Sequence, residues 1–411
     1  MLDEKQKLQE IIRLGNEMAD IKDLDILMER ILREARLFVN ADAGSIYIIN
    51  DGRLEFTYTQ NETLRERTPD GRKLVYNTFS LPIDNNTIAG YVANNGIILN
   101  IADVYRIPSD APYSFGKEFD KIASYTTRSM LTVPLKTHHG RTMGVLQIIN
   151  AQDGTGGIVP FFDQDVELIK YFASNAAISM ERAQMTRVLL LRMIGLAELR
   201  DPKETGPHVN RVAAYSTELY EAWARRRTLS EKEIENNKDI LRMAAMLHDV
   251  GKVGISDLIL QKPGKLTYEE FEMIKQHSLV GAQLFSNPRS DFDVAAAEVA
   301  LNHHERWDGS GYPGHIDART GRPVPGHTDQ YGKPVGKRGN EIPLLGRIVA
   351  IADVYDALSS KRSYKDAWKE EDVVEELKNQ AGKQFDPELL EIFQSIHDVI
   401  ISLKQRYPDP E

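Results

Sequence analysis

Eight of the ten histidines lie beyond residue 200, several of them beside or near carboxylates at spacings that suit a metal ion. Glu204 and His208 are four residues apart, so in a helix they share one face. His248-Asp249 follows the apolar stretch Leu241 to Leu247, which reads as a helix that Gly251 ends. Neighbouring helical residues point about 100° apart. That pair therefore serves one centre only near a helix edge, unless Asp249 bridges two ions. His277 stands mid-helix, and His303-His304 closes the helix that begins near Ala295. Asp353 lies in the apolar run Ile348 to Asp356, where an unpartnered carboxylate is costly and calls for a cation or several donors. Each residue alone has a plainer reading as a satisfied core or surface side chain. The set is what points to a metal.

The chain has no cysteine, so thiolate ligands and disulfides are excluded. Nitrogen and oxygen ligands suit iron or manganese ahead of magnesium or zinc. Adjacent ions of this kind lower the pKa of a bound water and assist its in-line attack on a phosphodiester.

The elements that carry these residues are helices. Segments 208–228, 231–249, 267–285, 291–304, 343–358 and 370–380 show helical patterning. Gly251, Pro263-Gly264, Pro288, the Gly/Pro-rich stretch 309–343, Gly382 and Pro387 separate them. The half from 198 to 411 is therefore expected to be all-α. The N-terminal half is mixed. Residues 1–22 begin with a short amphipathic helix, packed on its own domain or forming a dimer seam. Ser45 to Ile49 and Leu54 to Tyr58 read as strands joined by an Asn50-Asp51-Gly52 turn. Met130 to Leu135 and Met143 to Asn150 form a second hairpin, with His138-His139-Gly140 in its turn. This is an α+β domain with an antiparallel sheet, expected over 23–183. From Asp165 to Leu199 the chain reads as one helix, with 184–197 as a linker. It is either a last domain helix running into the next domain or a two-helix seam in a homodimer.

Charged residues make up 27% of the chain and the net charge is −10, which argues against bulk nucleic-acid binding but not against a small anion held locally. The N-terminus lacks a signal-peptide core, and no apolar run is long enough to span a bilayer. A cytoplasmic protein is expected.

Ala41-Asp42-Ala43-Gly44-Ser45, Thr87 to Val92, Ser129-Met130-Leu131 and Gly144 to Gln147 resemble a GAF domain. The resemblance implies a small sensed ligand and dimerisation. It does not extend to the cyclic-nucleotide-binding members, because Ala151 follows Asn150 and Val166 follows Asp165. The second half, from about 186 to 400, resembles the HD-GYP branch of the HD phosphohydrolases. Its motifs are Leu199 to His208, Leu247-His248-Asp249-Val250-Gly251-Lys252, Lys262 to Thr267, and His303 to Pro313 with Gly311-Tyr312-Pro313.

The HD-GYP resemblance implies a phosphodiesterase opening cyclic di-GMP to the linear dinucleotide or GMP, with cyclic GMP-AMP as an alternative substrate. It puts Glu204, His208, His248, Asp249, His277, His303, His304 and Asp353 on ligand positions. A carboxylate at 204 goes with three ions rather than two. It places Lys252 beside the reacting phosphate, where the plainer reading is a surface lysine. Arg362 and Lys365 become phosphate contacts, with a solvated helix end as the alternative. Tyr312 supports substrate or a partner surface. A sensor or adaptor that binds ligand without turnover is the competing class.

One departure from that pattern is a Gly- and Pro-rich insertion, Gly314 to Glu341, before Ile342-Pro343-Leu344. Its length suggests either a flexible flap that closes on substrate or an element that packs on the neighbouring GAF domain or on the second chain of a dimer. His315 and His327 are expected to be loop residues rather than ligands.

Overall fold

In the computed structural model of the chain, the described residues are 4–67, 79–198, 206–360 and 367–409. They divide into two compact units, Met1–Arg187 and Val188–Glu411.

The first unit contains α1 (Glu4–Asp20), α2 (Leu24–Phe38), β1 (Ala41–Asn50), β2 (Arg53–Asn61), α3 (Glu62–Glu66), β3 (Ser80–Pro82), α4 (Ile88–Asn95), β4 (Leu99–Ile101), α5 (Glu118–Ala123), β5 (Met130–Lys136), β6 (Thr142–Gln152) and β7 (Ile158–Val159). The chain then enters α6 (Asp163–Glu198), whose length spans the boundary between the units. The strands pair antiparallel in the order β3-β2-β1-β6-β5-β4, with β7 on β6. Asp51 and Gly52 both take positive φ, 45° and 73°, as a tight two-residue hairpin turn requires, and Asn50 pairs with Arg53 across it.

Why β1 reads as a near-continuous apolar run is clear from its two faces. Ile46 joins Leu131, Val133, Leu146 and Ile148 under α1, α2 and α6, where Leu14, Leu27, Ile31, Phe172 and Met180 pack. Tyr47 faces the other way, onto Val92 of α4. A strand covered on both sides loses the apolar–polar alternation that marks a half-solvated one. α2 is started by Asp23, whose carboxylate accepts from the Asp25 and Ile26 amides.

The second unit is helical, as expected. It holds α7 (Gly206–Arg226), α8 (Glu231–Met246), α9 (Asp257–Leu260), α10 (Tyr268–Leu284), α11 (Asp291–Asn302), α12 (Leu344–Ser359), α13 (Glu370–Asn379), α14 (Pro387–Ser395) and α15 (His397–Arg406). Capping boxes at Ser230–Glu233 and Thr267–Glu270 set where α8 and α10 begin. One core joins Tyr215 and Leu219 of α7, Leu241 of α8, Val299 of α11, Ile348 and Tyr355 of α12, and Phe393 of α14.

The structure differs from the sequence expectation in three places. α8 stops at Met246 and α11 at Asn302, so His248-Asp249 and His303-His304 lie in the turns beyond those helices. The insertion contains a short hairpin, β8 (Ile316–Asp317) with β9 (Arg322–Pro323). It is also not a free flap. The His315 amide donates to the Val335 carbonyl at 2.9 Å, the Val335 amide to the His327 carbonyl at 2.9 Å, and the Gly339 amide to the Trp307 carbonyl at 3.0 Å. Lys337 Nζ donates to Asn302 Oδ1 at 2.5 Å, and the Lys337 amide to Glu305 at 3.2 Å. Loop backbone that satisfies itself and its neighbours in this way is held in place. Among the described residues no helix is long and apolar enough to cross a membrane.

Candidate metal centre

Seven of the eight residues singled out as ligands come together in two groups. Asp249, His277, His303 and His304 form one; His208, His248 and Asp353 form the other, with all donor atoms of a group within 4.8 Å of one another. The eighth, Glu204, lies outside the described residues, as do Arg362 and Lys365. His315 and His327 stack on each other at 3.9 Å and belong to neither group.

Local structure explains how neighbours in sequence reach different partners. The end of α8 at Met246 releases His248 and Asp249 from helical geometry before the 3₁₀ turn Val250–Gly254. Asp249 Oδ1 faces His277 Nε2 at 3.0 Å and His303 Nε2 at 3.5 Å, whereas Oδ2 faces His248 Nε2 at 3.5 Å. One carboxylate thus has an oxygen toward each group. Gly251 lets this turn lie against α10. A Cβ there would sit 1.9 Å from the His277 carbonyl, so any side chain would force the turn away from the ligand helix.

The histidines are held in one tautomer. His248 Nδ1 donates to the Ala245 carbonyl at 2.8 Å, His277 Nδ1 to Ile274 at 2.7 Å, and His303 Nδ1 to Val299 and Ala300 at 3.1 Å. A carbonyl only accepts, so the proton is on Nδ1 and Nε2 presents a lone pair. His208 Nδ1 lies 2.8 Å from Asp356 Oδ2. Burial alone would raise the Asp356 carboxyl, but hydrogen bonds from His208 and Arg211 hold it down to about 2, so it too accepts.

The result is a set of lone pairs facing one another. His277 Nε2 is 3.4 Å from His303 Nε2 and 3.0 Å from a carboxylate oxygen. Asp249 Oδ1 accepts no hydrogen bond among the described residues. Ser278 Oγ, 3.4 Å from His277 Nε2, is too distant for a strong hydroxyl bond. Side chains of His248, His277 and His303 are at most 1% exposed, so water does not screen the repulsion. Buried acceptors in this arrangement fit a divalent cation, and the carbonyl and carboxylate partners behind them are what orients ligand histidines.

Burial lowers the His303 and His304 imidazoles, His304 far below the ordinary range, which favours the uncharged form of both. For Asp249, burial acts upward, but the Lys252 ammonium is the first of the opposing charges, and the carboxyl is held well below the usual carboxylate range. Lys252 Nζ is 2.9 Å from Asp249 Oδ2. It is therefore not a loose surface lysine. The Tyr312 ring packs 4.8 Å from His304 and forms a wall beside the first group.

The GAF domain family matches residues 23–180, and the HD domain family matches residues 205–358. The chain thus carries a GAF domain followed by an HD domain. The 3'3'-cGAMP-specific phosphodiesterase 2 of Vibrio cholerae is 35% identical to it over 252 residues, 60% of this chain and 42% of that protein. A cyclic di-GMP phosphodiesterase of the same organism is 34% identical over 277 residues, 65% of this chain and 50% of the relative. Another, from Thermotoga maritima, is 38% identical over 216 residues, 53% and 50% of the two chains. The GAF–HD chain spans half or less of the length of these relatives.

Within the HD domain, sequence reasoning missed the residues behind the ligands. Asp356 is 1% exposed and binds Arg211 twice, at 2.6 and 2.9 Å, as well as His208. Arg211 also donates to the Tyr407 carbonyl at 2.8 Å. A signal was present: Asp356 and Arg211 each fall three residues after a candidate ligand, on the same helical face. Glu305, 2% exposed, accepts the Gly314 amide at 2.5 Å and shapes the Gly-Tyr-Pro loop. Its sequence neighbours carry no hint of that role.

Proposed function

We propose that the chain is a metal-dependent phosphodiesterase that opens cyclic di-GMP to linear pGpG and/or GMP, under control of its GAF domain. The observation that carries this reading is the Asp249 carboxylate, set between two groups of inward lone pairs and paired with Lys252. When bound, two adjacent cations supply a low-pKa water and neutralise phosphate charge. His277, His303 and His304 would hold one, and His208, His248 and Asp353 the other, with Asp249 spanning both. Lys252 adds a positive charge beside the phosphate and offsets charge on the leaving oxygen. Arg362 and Lys365 are assigned to the phosphates, and Tyr312 to the substrate wall.

The donor set contains no thiolate, which favours iron or manganese over magnesium or zinc. Glu204 would add a third ion to the two. A homodimer through the GAF domain and linker helix is supported by Met185, Leu189 and Met193, which leave one line of α6 apolar and exposed. The GAF domain would take a small ligand.

Cyclic GMP-AMP is the second reading, favoured by the relative named as specific for that molecule. The test is anaerobic purification, metal analysis, and product chromatography with each cyclic dinucleotide. More than one iron or manganese per chain and a linear product are expected. Glu204→Ala should lose one ion and slow the step from linear dinucleotide to mononucleotide. A metal-loaded protein inert toward both substrates would make it a ligand-binding adaptor instead.

A further inference from the structure

α10 carries more than His277. Phe271 and Lys275 lie four residues apart, on one face of the helix just before that histidine. Phe271 is 44% exposed, although its ring lies 6.4 Å from Tyr312 at an interplanar angle of 81°. Tyr312 in turn packs on His304 at 4.8 Å with a tilt of 32°. The Lys275 ammonium stands over both aromatic rings, 5.0 Å from Phe271 and 5.4 Å from Tyr312, and is steered by Glu272 at 2.6 Å. Ring surfaces therefore run without a break from the buried first donor group to the surface, meeting in a right-angled corner under a cation.

Nothing in the packing of α10 calls for a phenylalanine at the exposed end of this series, since the buried side of the helix is His277, Ser278, Gly281 and Ala282. A corner of two rings offers a floor and a wall to a flat aromatic ligand. Its continuity with the metal groups determines which ligand that is. A molecule whose phosphodiester lies at those groups carries its bases one sugar away, and a base has a π face to lay on a ring.

We propose that Phe271 and Lys275, with Tyr312, form the stacking platform for one base of the cyclic dinucleotide. The proposal rests on the phosphodiesterase reading above. Phe271 supplies the face, and Lys275 holds the two rings in register through cation–π contact. Because stacking tolerates any base, the platform contributes to binding of cyclic di-GMP and cyclic GMP-AMP alike. It sets a preference for dinucleotides over small phosphodiesters rather than a choice between guanine and adenine.

The experiment compares wild type, Phe271→Ala, Phe271→Trp and Lys275→Met, all metal-loaded. Three quantities are read: kcat and KM on cyclic di-GMP, metal per chain, and Kd for a phosphorothioate analogue of cyclic di-GMP. Phe271→Ala should raise both KM and Kd about tenfold, which corresponds to about 1.4 kcal/mol. Its kcat and metal content should stay unchanged, and Phe271→Trp should restore both constants. Lys275→Met should show a smaller rise in the same two constants. Wild-type KM and Kd in Phe271→Ala, or a shift only in sedimentation behaviour, would overturn the platform and leave the phosphodiesterase reading standing. Wild-type enzyme that turns over neither cyclic dinucleotide would instead remove the reading and the platform together.

Discussion

Each half of the molecule contains a His-His pair, and the two pairs behave oppositely. His138 and His139 have ring centroids 3.8 Å apart in the turn between β5 and β6, and both are exposed. His303 and His304 lie at a similar 4.0 Å, but beyond the end of α11, against His277 and Asp249. The buried polar groups differ in the same way. In the GAF half, Asp42 accepts from Tyr125 at 2.6 Å and from Thr63 at 2.9 Å, while Asn150 donates to Tyr125 at 2.9 Å. Donors meet acceptors there, and the network closes on itself. In the HD half, acceptors meet acceptors. A closed network stabilises a fold, whereas converging lone pairs require something positive between them.

The largest test of that contrast is Asp249→Ala. It removes the carboxylate shared by both donor groups, and turnover should fall below detection while circular dichroism stays that of the folded protein. Normal turnover in this variant would end the metal reading of the HD half.

Replacing Ile316–Asn340 with a short Gly/Ser linker asks whether the insertion belongs to the site's framework. Lys337 and Glu305 then lose their mutual contacts. A hydrogen bond to a charged group contributes about 1.5–3 kcal/mol. The thermal midpoint should drop by several degrees, at about 2–4 °C per kcal/mol, and metal occupancy should fall with it. A raised KM at unchanged midpoint and metal content would restore the substrate-lid alternative.

Asp356→Asn probes the support behind His208. Such partners typically contribute a factor of about 10–100 in metal affinity. Titration of the stripped protein with manganese should show a loss in that range. Affinity equal to wild type would mean that His208 needs no carboxylate to orient it.

The smallest effect is expected from His138→Ala with His139→Ala. Metal content, thermal midpoint and kcat should all match wild type. Any loss of metal would show that the exposed pair is also a site, and the contrast between the halves would fail.

Much of this molecule was legible before its structure. The helical and α+β halves follow from local periodicity, and the Asn50-Asp51-Gly52 turn from backbone chemistry that few residues accept. The candidate ligands could be named because histidines and acids amid apolar helices are costly without a purpose. Their distribution into two groups could not be read that way. It depends on α8 and α11 each stopping just before a ligand pair, and a helix boundary is set as much by tertiary contacts as by residue type. The same holds for Asp356 and Arg211, brought together from positions 145 residues apart, and for the insertion, whose composition suggested mobility until Lys337 found Asn302. Residue type and spacing record which groups are chemically able to hold an ion. Only the packed chain decides which lone pairs face each other, because that is a property of distances between elements and not of any one of them.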